Sequence, residues 1–209
     1  MVQTLFLCLL FLCSFNAVAQ QPSLSDALRL AFDQKPSFTA KFNTRNSFVT
    51  GRPVRTYGVK AGVNFNNKVA VGVGFHWLEH DNVRIYNEGE PIEQRRELRM
   101  AYFAGYFDYI FIRRQHWEIT MPVQIGIGTS KERVLGEEGT EDINRGGVLL
   151  YEPGMIAEYR FLKYFGIGAG VGLRIMLINN GKIDEQFTAP LYELRFRIRF
   201  GDIWKDLNS

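Results

Sequence analysis

Leu191-Tyr-Glu-Leu-Arg-Phe-Arg-Ile-Arg-Phe200 decides the fold of this chain. Tyr192, Leu194, Phe196, Ile198 and Phe200 are apolar at every second position, and Glu193, Arg195, Arg197 and Arg199 occupy the places between them. A period of two is the mark of a β-strand, because successive side chains leave opposite faces of the backbone. Just upstream, Gly166, Gly168, Gly170 and Gly172 alternate with Phe165, Ile167, Ala169, Val171 and Leu173. If the two segments pair as a hairpin, the glycine face and the arginine face coincide, leaving room for long guanidinium side chains. That combination predicts a small barrel with a polar, filled interior and an apolar outside.

The same alternation recurs along the chain. Strands are expected at about 38–48, 55–65, 68–78, 97–112, 116–128, 147–161, 165–177 and 191–200. Outward positions carry Phe, Val, Ile, Leu, Met, Ala, Trp and Tyr. Inward positions carry Lys41, Arg45, Lys60, Glu118, Glu152, Glu158, Arg160, Arg174, Glu193, Arg195, Arg197 and Arg199. The facing of 97–112 stays open, because Tyr102, Phe103, Tyr106, Phe107 and Tyr109 are bulky on both faces and a bulge would fit there. The connections alternate in length. Asn66-Asn67, 113–115 and 162–164 are short turns, whereas 79–96, 129–146 and 179–186 are long and polar. Membrane barrels have this asymmetry, with short periplasmic turns and long external loops. A Lys or Arg facing lipid near the midplane costs about 2–4 kcal/mol, which accounts for the sorting of charge to one face. Trp117, Phe161, Phe165 and Phe200 at one set of strand ends, with Trp77 and Tyr151 at the other, read as aromatic girdles.

Leu5–Phe15 is an apolar run followed by Ala17-Val18-Ala19, the pattern of a secretory signal cleaved before Gln20. Cys8 and Cys13 both lie inside it, so disulfides, thiol catalysis and cysteine metal sites are not expected in the mature protein. No later apolar run is long enough for a membrane helix. A formal net charge of +3 does not suggest nucleic acid as a partner. Residues 24–34 hold a helical pattern with Ser25 as N-cap and Pro36 as its stop, either a plug or contact helix or a cover over the barrel mouth. The expected organisation is a signal peptide at 1–19, a periplasmic segment with a short helix at 20–36, the barrel at 37–201 and a tail at 202–209. The fold class is therefore all-β, an eight-stranded antiparallel up-and-down transmembrane β-barrel.

Over about residues 37–201 this pattern resembles the small outer-membrane β-barrels of the OmpA and OmpX type, by architecture and without a diagnostic motif. Members usually end in an aromatic assembly signal on the last strand. Tyr192, Leu194, Phe196, Ile198 and Phe200 are similar to it, and Gly201–Ser209 continue beyond. The resemblance implies an outer-membrane location with both termini periplasmic, outer-membrane lipid as surroundings, insertion by the outer-membrane assembly machinery, and a bore too narrow for a wide pore.

The inward charges form the main candidate constellation, a structural network of paired ions across adjacent strands, with a gated ion path as its functional alternative. Enzymes that modify lipid A use this fold, which makes His76, His80 and His116 with Ser130 and Glu79 candidates for a hydrolase set, but no spacing ties them together. His76 and His80 stand at a helical spacing on a strand end, which is poor for a metal pair. The glycine row lacks the following helix that a phosphate cradle needs. No cofactor or metal is expected. The resulting expectation is a non-enzymatic barrel serving membrane integrity or surface interaction. Its alternatives are a lipid A-modifying enzyme or an accessory subunit of a larger outer-membrane complex.

Overall fold

The computed structural model describes residues 25, 29, 32–33, 35–49, 52–79, 83–86, 94–136, 139–183 and 187–208. Eight long strands dominate: β1 (Ser37–Val49), β2 (Arg52–Phe65), β3 (Val69–Leu78), β5 (Gln94–Arg113), β6 (Trp117–Gly136), β7 (Gly139–Arg160), β8 (Phe165–Ile178) and β9 (Ala189–Ile198). A short β4 (Val83–Tyr86) pairs with β5, and a helix α1 (Phe200–Leu207) follows β9. Every pairing is antiparallel between chain neighbours, β3 pairs β5, and β1 pairs β9, so the ring closes. Closure removes both sheet edges, which is what allows strands to stand in an environment without hydrogen-bonding solvent.

The turn at Asn66-Asn67 has φ of 49° and 51°, the left-handed geometry of a two-residue hairpin, which Asn tolerates better than most residues. At the same end, Arg114 and Trp117 exchange backbone bonds around the next short turn, and Phe165 N–H donates to the Leu162 carbonyl at the third. All three short turns therefore gather at one end; at the other, β2 begins at Arg52 directly after β1 ends at Val49, and the long connections are those from β3 to β5 and from β8 to β9.

Alternation places side chains as expected on most strands. On β6, Glu118, Thr120 and Gln124 are buried, while Trp117, Met121, Ile125 and Ile127 are exposed. On β5, the open question is resolved: Leu98, Met100, Tyr102, Ala104, Tyr106, Asp108 and Ile110 point inward and Phe103 outward. The register shifts between Ile110 and Ile112, the bulge that the two-sided bulk suggested.

Three expectations are corrected. First, the predicted loop 129–146 is mostly strand, because β6 runs on to Gly136 and β7 begins at Gly139. The run of outward apolar residues on β6 ends at Ile127, and from Thr129 to Arg133 both faces carry polar or charged residues. With polar residues on both faces no apolar–polar alternation remains to be read there. The eleven residues Trp117–Ile127, at about 3.3 Å each and about 40° tilt, span roughly 28 Å, close to the ~25 Å apolar band of a membrane barrel. The nine residues from Gly128 to Gly136 then carry β6 about 23 Å further by the same arithmetic. Second, the last strand stops at Ile198, and Phe200 opens α1 in place of a tail. Third, the glycine row of β8 does lie opposite β9, with Gly166 beside Arg197 and Gly168 beside Arg195, but the room it creates is filled from the other side. A Cβ on Gly170 would sit 2.3 Å from the Met155 carbonyl oxygen and 2.5 Å from Ile156 Cγ1, both on β7.

Most of the expected helix at 24–34 falls outside the described residues; Ser25, Arg29 and Phe32 are helical. Phe32 packs on Phe65 with ring centroids 5.0 Å apart. Phe65 is an outward position of β2, so this contact lies on the wall of the barrel and not in its mouth.

Candidate functional site: the closed lumen and the projecting sheet

Charged side chains from opposite walls meet in the bore and fill it. Nearest the short turns, Glu118 on β6 and Glu158 on β7 stand directly opposite each other. Two carboxylates in that relation repel. Arg197 and Arg199 of β9 resolve it by each forming ion pairs with both: Arg197 reaches Glu118 at 2.9 Å and Glu158 at 3.1 Å, and Arg199 reaches them at 3.0 and 3.3 Å. Arg113 adds a longer contact to Glu118, 3.4 Å.

In the middle, Asp108 of β5 accepts from Lys41 Nζ at 2.6 Å and from Arg195 Nη1 at 3.1 Å. β5 and β9 are diametrically opposed in the ring, so this group ties the two walls together. Lys60 is buried and has no hydrogen-bond partner among the described residues, but its Nζ sits 5.1 Å from the Tyr106 ring centroid, with Lys41 4.7 Å from the same ring. A ring quadrupole is a fitting neighbour for a cation that lacks a carboxylate.

Toward the long loops, Glu152 gathers Arg45 Nη1 at 2.5 Å, Arg174 Nε at 2.5 Å, Gln124 Nε2 and the Tyr102 hydroxyl at 3.3 Å. Arg45 also donates from Nε to Glu193 at 2.8 Å, and Arg195 Nε reaches the other Glu193 oxygen at 2.9 Å, which joins this layer to the one below. A cavity of about 20 Å³ beside Arg45, Gln124 and Glu152 is room for about one water. Buried guanidinium groups bonded on two sides make planar, directional cross-links between strands that are not neighbours.

Above the ions the lumen turns apolar. Val54, Leu78, Leu98, Met100, Tyr102, Ala104 and Leu150 form a buried cluster with Ile183 and Phe187, which descend from the connection between β8 and β9. The interior is thus ionic below and greasy at the long-loop mouth, where the sequence predicted polar filling throughout. The apolar part was hidden because β5 had no assigned facing and because Phe187 falls between the polar loop expected at 179–186 and the strand expected from 191.

Of the residues expected in the ionic network, Lys41, Arg45, Glu118, Glu152, Glu158, Arg174, Glu193, Arg195, Arg197 and Arg199 meet in it, and Lys60 lies beside it. Arg160 stands apart: at the short-turn rim it donates to the Gln115 carbonyl in an exposed bond. Asp108, Tyr102 and Tyr106 were not anticipated. A usable signal existed, since Asp108 is the one charged residue between Met100 and Ile112, and a carboxylate in such a run belongs inside; Tyr102 and Tyr106 share its parity.

Among the expected girdle residues, Trp117 forms a ring pair with Tyr159 at 5.0 Å, and Phe161 stacks with Phe165 at 6.4 Å, all at the short-turn end. At the other end Trp77 lies 6.1 Å from Tyr57, whose hydroxyl donates to Glu79 at 2.8 Å. Phe200 is carried by α1 and Tyr151 is half-buried on β7.

The hydrolase set does not assemble. His76 is buried inside, stacked on Tyr102 at 4.9 Å. Ser130 Oγ accepts from Asn180 Nδ2, and Glu79 serves Tyr57, an outward residue. His116 stands at the short-turn end against Tyr159, and His80 lies outside the described residues.

Beyond the apolar band, β5, β6 and β7 form a projecting sheet. Asp142 receives Lys131 and Arg133 across the β6–β7 hairpin, the latter at 2.7 Å, and Asn144 donates to Glu132 at 2.6 Å. The hydrogen bonds from Arg133 first, then from Lys131, hold the Asp142 carboxyl well below the usual aspartate range. Asn180 braces the base of this sheet, donating to the Ser130 and Asn144 carbonyls at 3.2 and 2.7 Å. Bare Gly146 permits that approach, because a Cβ there would lie 2.1 Å from Asn180 Oδ1.

Comparison with solved structures shows the fold of small outer-membrane β-barrels. Neisserial surface protein A superposes with a TM-score of 0.55 at 10% identity, over 80% of this chain and 100% of that one. Ail of Yersinia pestis follows with a TM-score of 0.47 at 15% identity, over 78% and 97%. The N-terminal barrel domain of Pseudomonas aeruginosa OprF gives 0.46 at 10% identity, over 78% and 98%. No protein-family model matches the sequence, and no curated protein matches it.

Proposed function

We propose that this chain is an outer-membrane protein that works without catalysis, as a closed barrel holding a stiff β-sheet out from the membrane for contact at the cell surface, with both termini in the periplasm. The observation that carries this reading is the length of β5, β6 and β7, whose 20, 20 and 22 residues are nearly twice what the apolar band needs. Extending a strand pair into water is only worthwhile if the extension is held in shape, and the Asp142 and Asn180 bonds do that. The plugged mouth and the ionic layers beneath it support a role other than conduction. The separation of His76, Ser130 and Glu79 supports a role other than lipid hydrolysis. Insertion by the outer-membrane assembly machinery, reading the aromatic last strand, belongs to the same proposal.

The test uses intact cells. Trypsin should cut at Lys131 or Arg133 without permeabilisation and leave the barrel protected. A variant in which residues 132–143 are replaced by a two-residue turn should keep its heat-dependent gel mobility and lose cell–cell or cell–surface attachment. Unchanged attachment together with increased envelope permeability in a deletion strain would move the role to membrane integrity. Altered lipid A in the deletion strain would restore the enzyme.

A further inference from the structure

Helix α1 carries its apolar residues on one side. Phe200, Ile203, Trp204 and Leu207 recur at intervals of three and four, and Asp202 and Asp206 lie on the opposite arc. Trp204 and Leu207 are 70% and 76% exposed, a large cost in water for a helix of this length. The orientation is fixed at two points. Asp206 bonds both Lys163 and the Tyr164 hydroxyl on the turn between β7 and β8. Gly201 closes on the start of β1, where a Cβ would be 2.5 Å from Ser37 Cβ and 3.1 Å from the Phe38 nitrogen. The exposed face is therefore held outward by design of the contacts behind it. It runs into the apolar outer wall through Phe38, itself 63% exposed, and a groove of about 520 Å³ separates helix from wall, lined by Pro36, Phe38, Phe200, Ile203, Trp204 and Leu207.

We infer that α1 is an interfacial helix that lies in the leaflet at the short-turn end of the barrel, with Trp204 and Leu207 among phospholipid acyl chains and one acyl chain seated in the groove against β1. The inference rests on the membrane reading above. Its occupant follows from continuity: the groove opens onto the same apolar belt that Phe38 and Trp117 share, and an amphipathic helix with Trp and Leu on one face and carboxylates on the other partitions to the headgroup boundary. In this arrangement the helix closes the seam between the first and last strands at the level where the bilayer ends.

Tryptophan quenching in vesicles tests it. Two full-length proteins are refolded into phosphatidylcholine vesicles, with and without bromine on the acyl chains. One carries Trp77→Phe and Trp117→Phe and reports Trp204; the other carries Trp77→Phe and Trp204→Phe and reports Trp117. All three positions lie on outward or exposed faces, and folding is verified by heat-dependent gel mobility. The expected result is bromolipid quenching of Trp204 within about a factor of two of Trp117, with little quenching by aqueous acrylamide. Quenching of Trp204 by acrylamide alone, with Trp117 quenched by lipid, overturns the inference and leaves the barrel reading standing. Protection from both quenchers overturns it in favour of a protein cover, either the segment before Pro36 or a second copy. If bromolipid fails to quench Trp117 as well, the membrane reading falls and takes this inference with it.

Discussion

Asp108→Asn strikes the middle of the lumen with the smallest possible change in shape. The carboxylate lies 2.6 Å from Lys41 Nζ and 3.1 Å from Arg195 Nη1, and all three side chains are fully shielded from solvent. At an effective dielectric near 20, the two contacts represent roughly 6 and 5 kcal/mol of gross attraction. Most of that is offset by the desolvation of the ions, so the gross figure is not the stability of the pair. Removal of one partner is different, because Lys41 then remains buried without a carboxylate and Arg195 loses one of its two. The expected loss is about 3–5 kcal/mol. Arg195 keeps its bond to Glu193 and holds the figure toward the lower end. The assay is equilibrium unfolding in urea in detergent micelles, followed by tryptophan emission and by gel mobility. Salt should hardly alter the difference, since a dry pair is poorly screened. Combining Asp108→Asn with Lys41→Met should recover part of the loss, because it removes one stranded cation. A loss below about 1 kcal/mol, the range of an exposed pair, would refute the bridging role, and so would strict additivity of the two substitutions.

Other regions give separate expectations. Gly170→Ala places a methyl against the Met155 carbonyl and Ile156 and should cost about 1–3 kcal/mol by overpacking, read as a lowered guanidinium midpoint; an unchanged midpoint would mean that β7 and β8 yield easily. Phe187→Ala empties the buried mouth and should cost about 3 kcal/mol without opening a conducting path in planar bilayers, since the ion layers below remain; measurable single-channel current would show that the plug is the seal. Asp206 accepts hydrogen bonds from Lys163 and Tyr164 that hold its carboxyl below the usual aspartate range. A depressed carboxyl contributes docking of α1 that is complete above that range and lost as pH falls through the depressed value. The protection of the Ile203–Leu207 amides, relative to their intrinsic exchange rates at each pH, should accordingly hold at neutral and mildly acidic pH and fall only in strong acid, whereas Asp206→Asn should remove that pH dependence of the protection.

How much of this was legible depended on where water stands. Between Trp117 and Ile127 one face meets apolar surroundings and the other meets buried ions, so residue type reports facing directly. The inward placement of Glu118 and Gln124 could be read without coordinates. On β5 both faces take aromatics, since Tyr102 and Tyr106 fill the bore while Phe103 and Phe107 cover the outside, and periodicity lost its contrast there. From Thr129 to Gly146 polar residues and glycines occur on both faces, even where Ser130 and Glu132 are buried, so strand and loop look alike in composition. Gly201 and Asp206 gave no sign that the tail would dock, because their partners, Ser37 and the turn at Lys163-Tyr164, are remote in the chain.

The sequence by itself determined the alternation on every barrel strand but β5, the count of eight and the antiparallel succession, because these are properties of single strands and of short turns; it favoured lipid on the apolar face through the glycines and arginines of the other. Only the tertiary structure decided that Asp108 reaches Lys41 and Arg195, that Arg197 and Arg199 share two glutamates, that Phe187 seals the mouth, and that α1 displays Trp204. Each of those depends on the stagger and tilt with which the ring closes, which sets the height at which side chains from opposite walls meet, and no local pattern encodes that height.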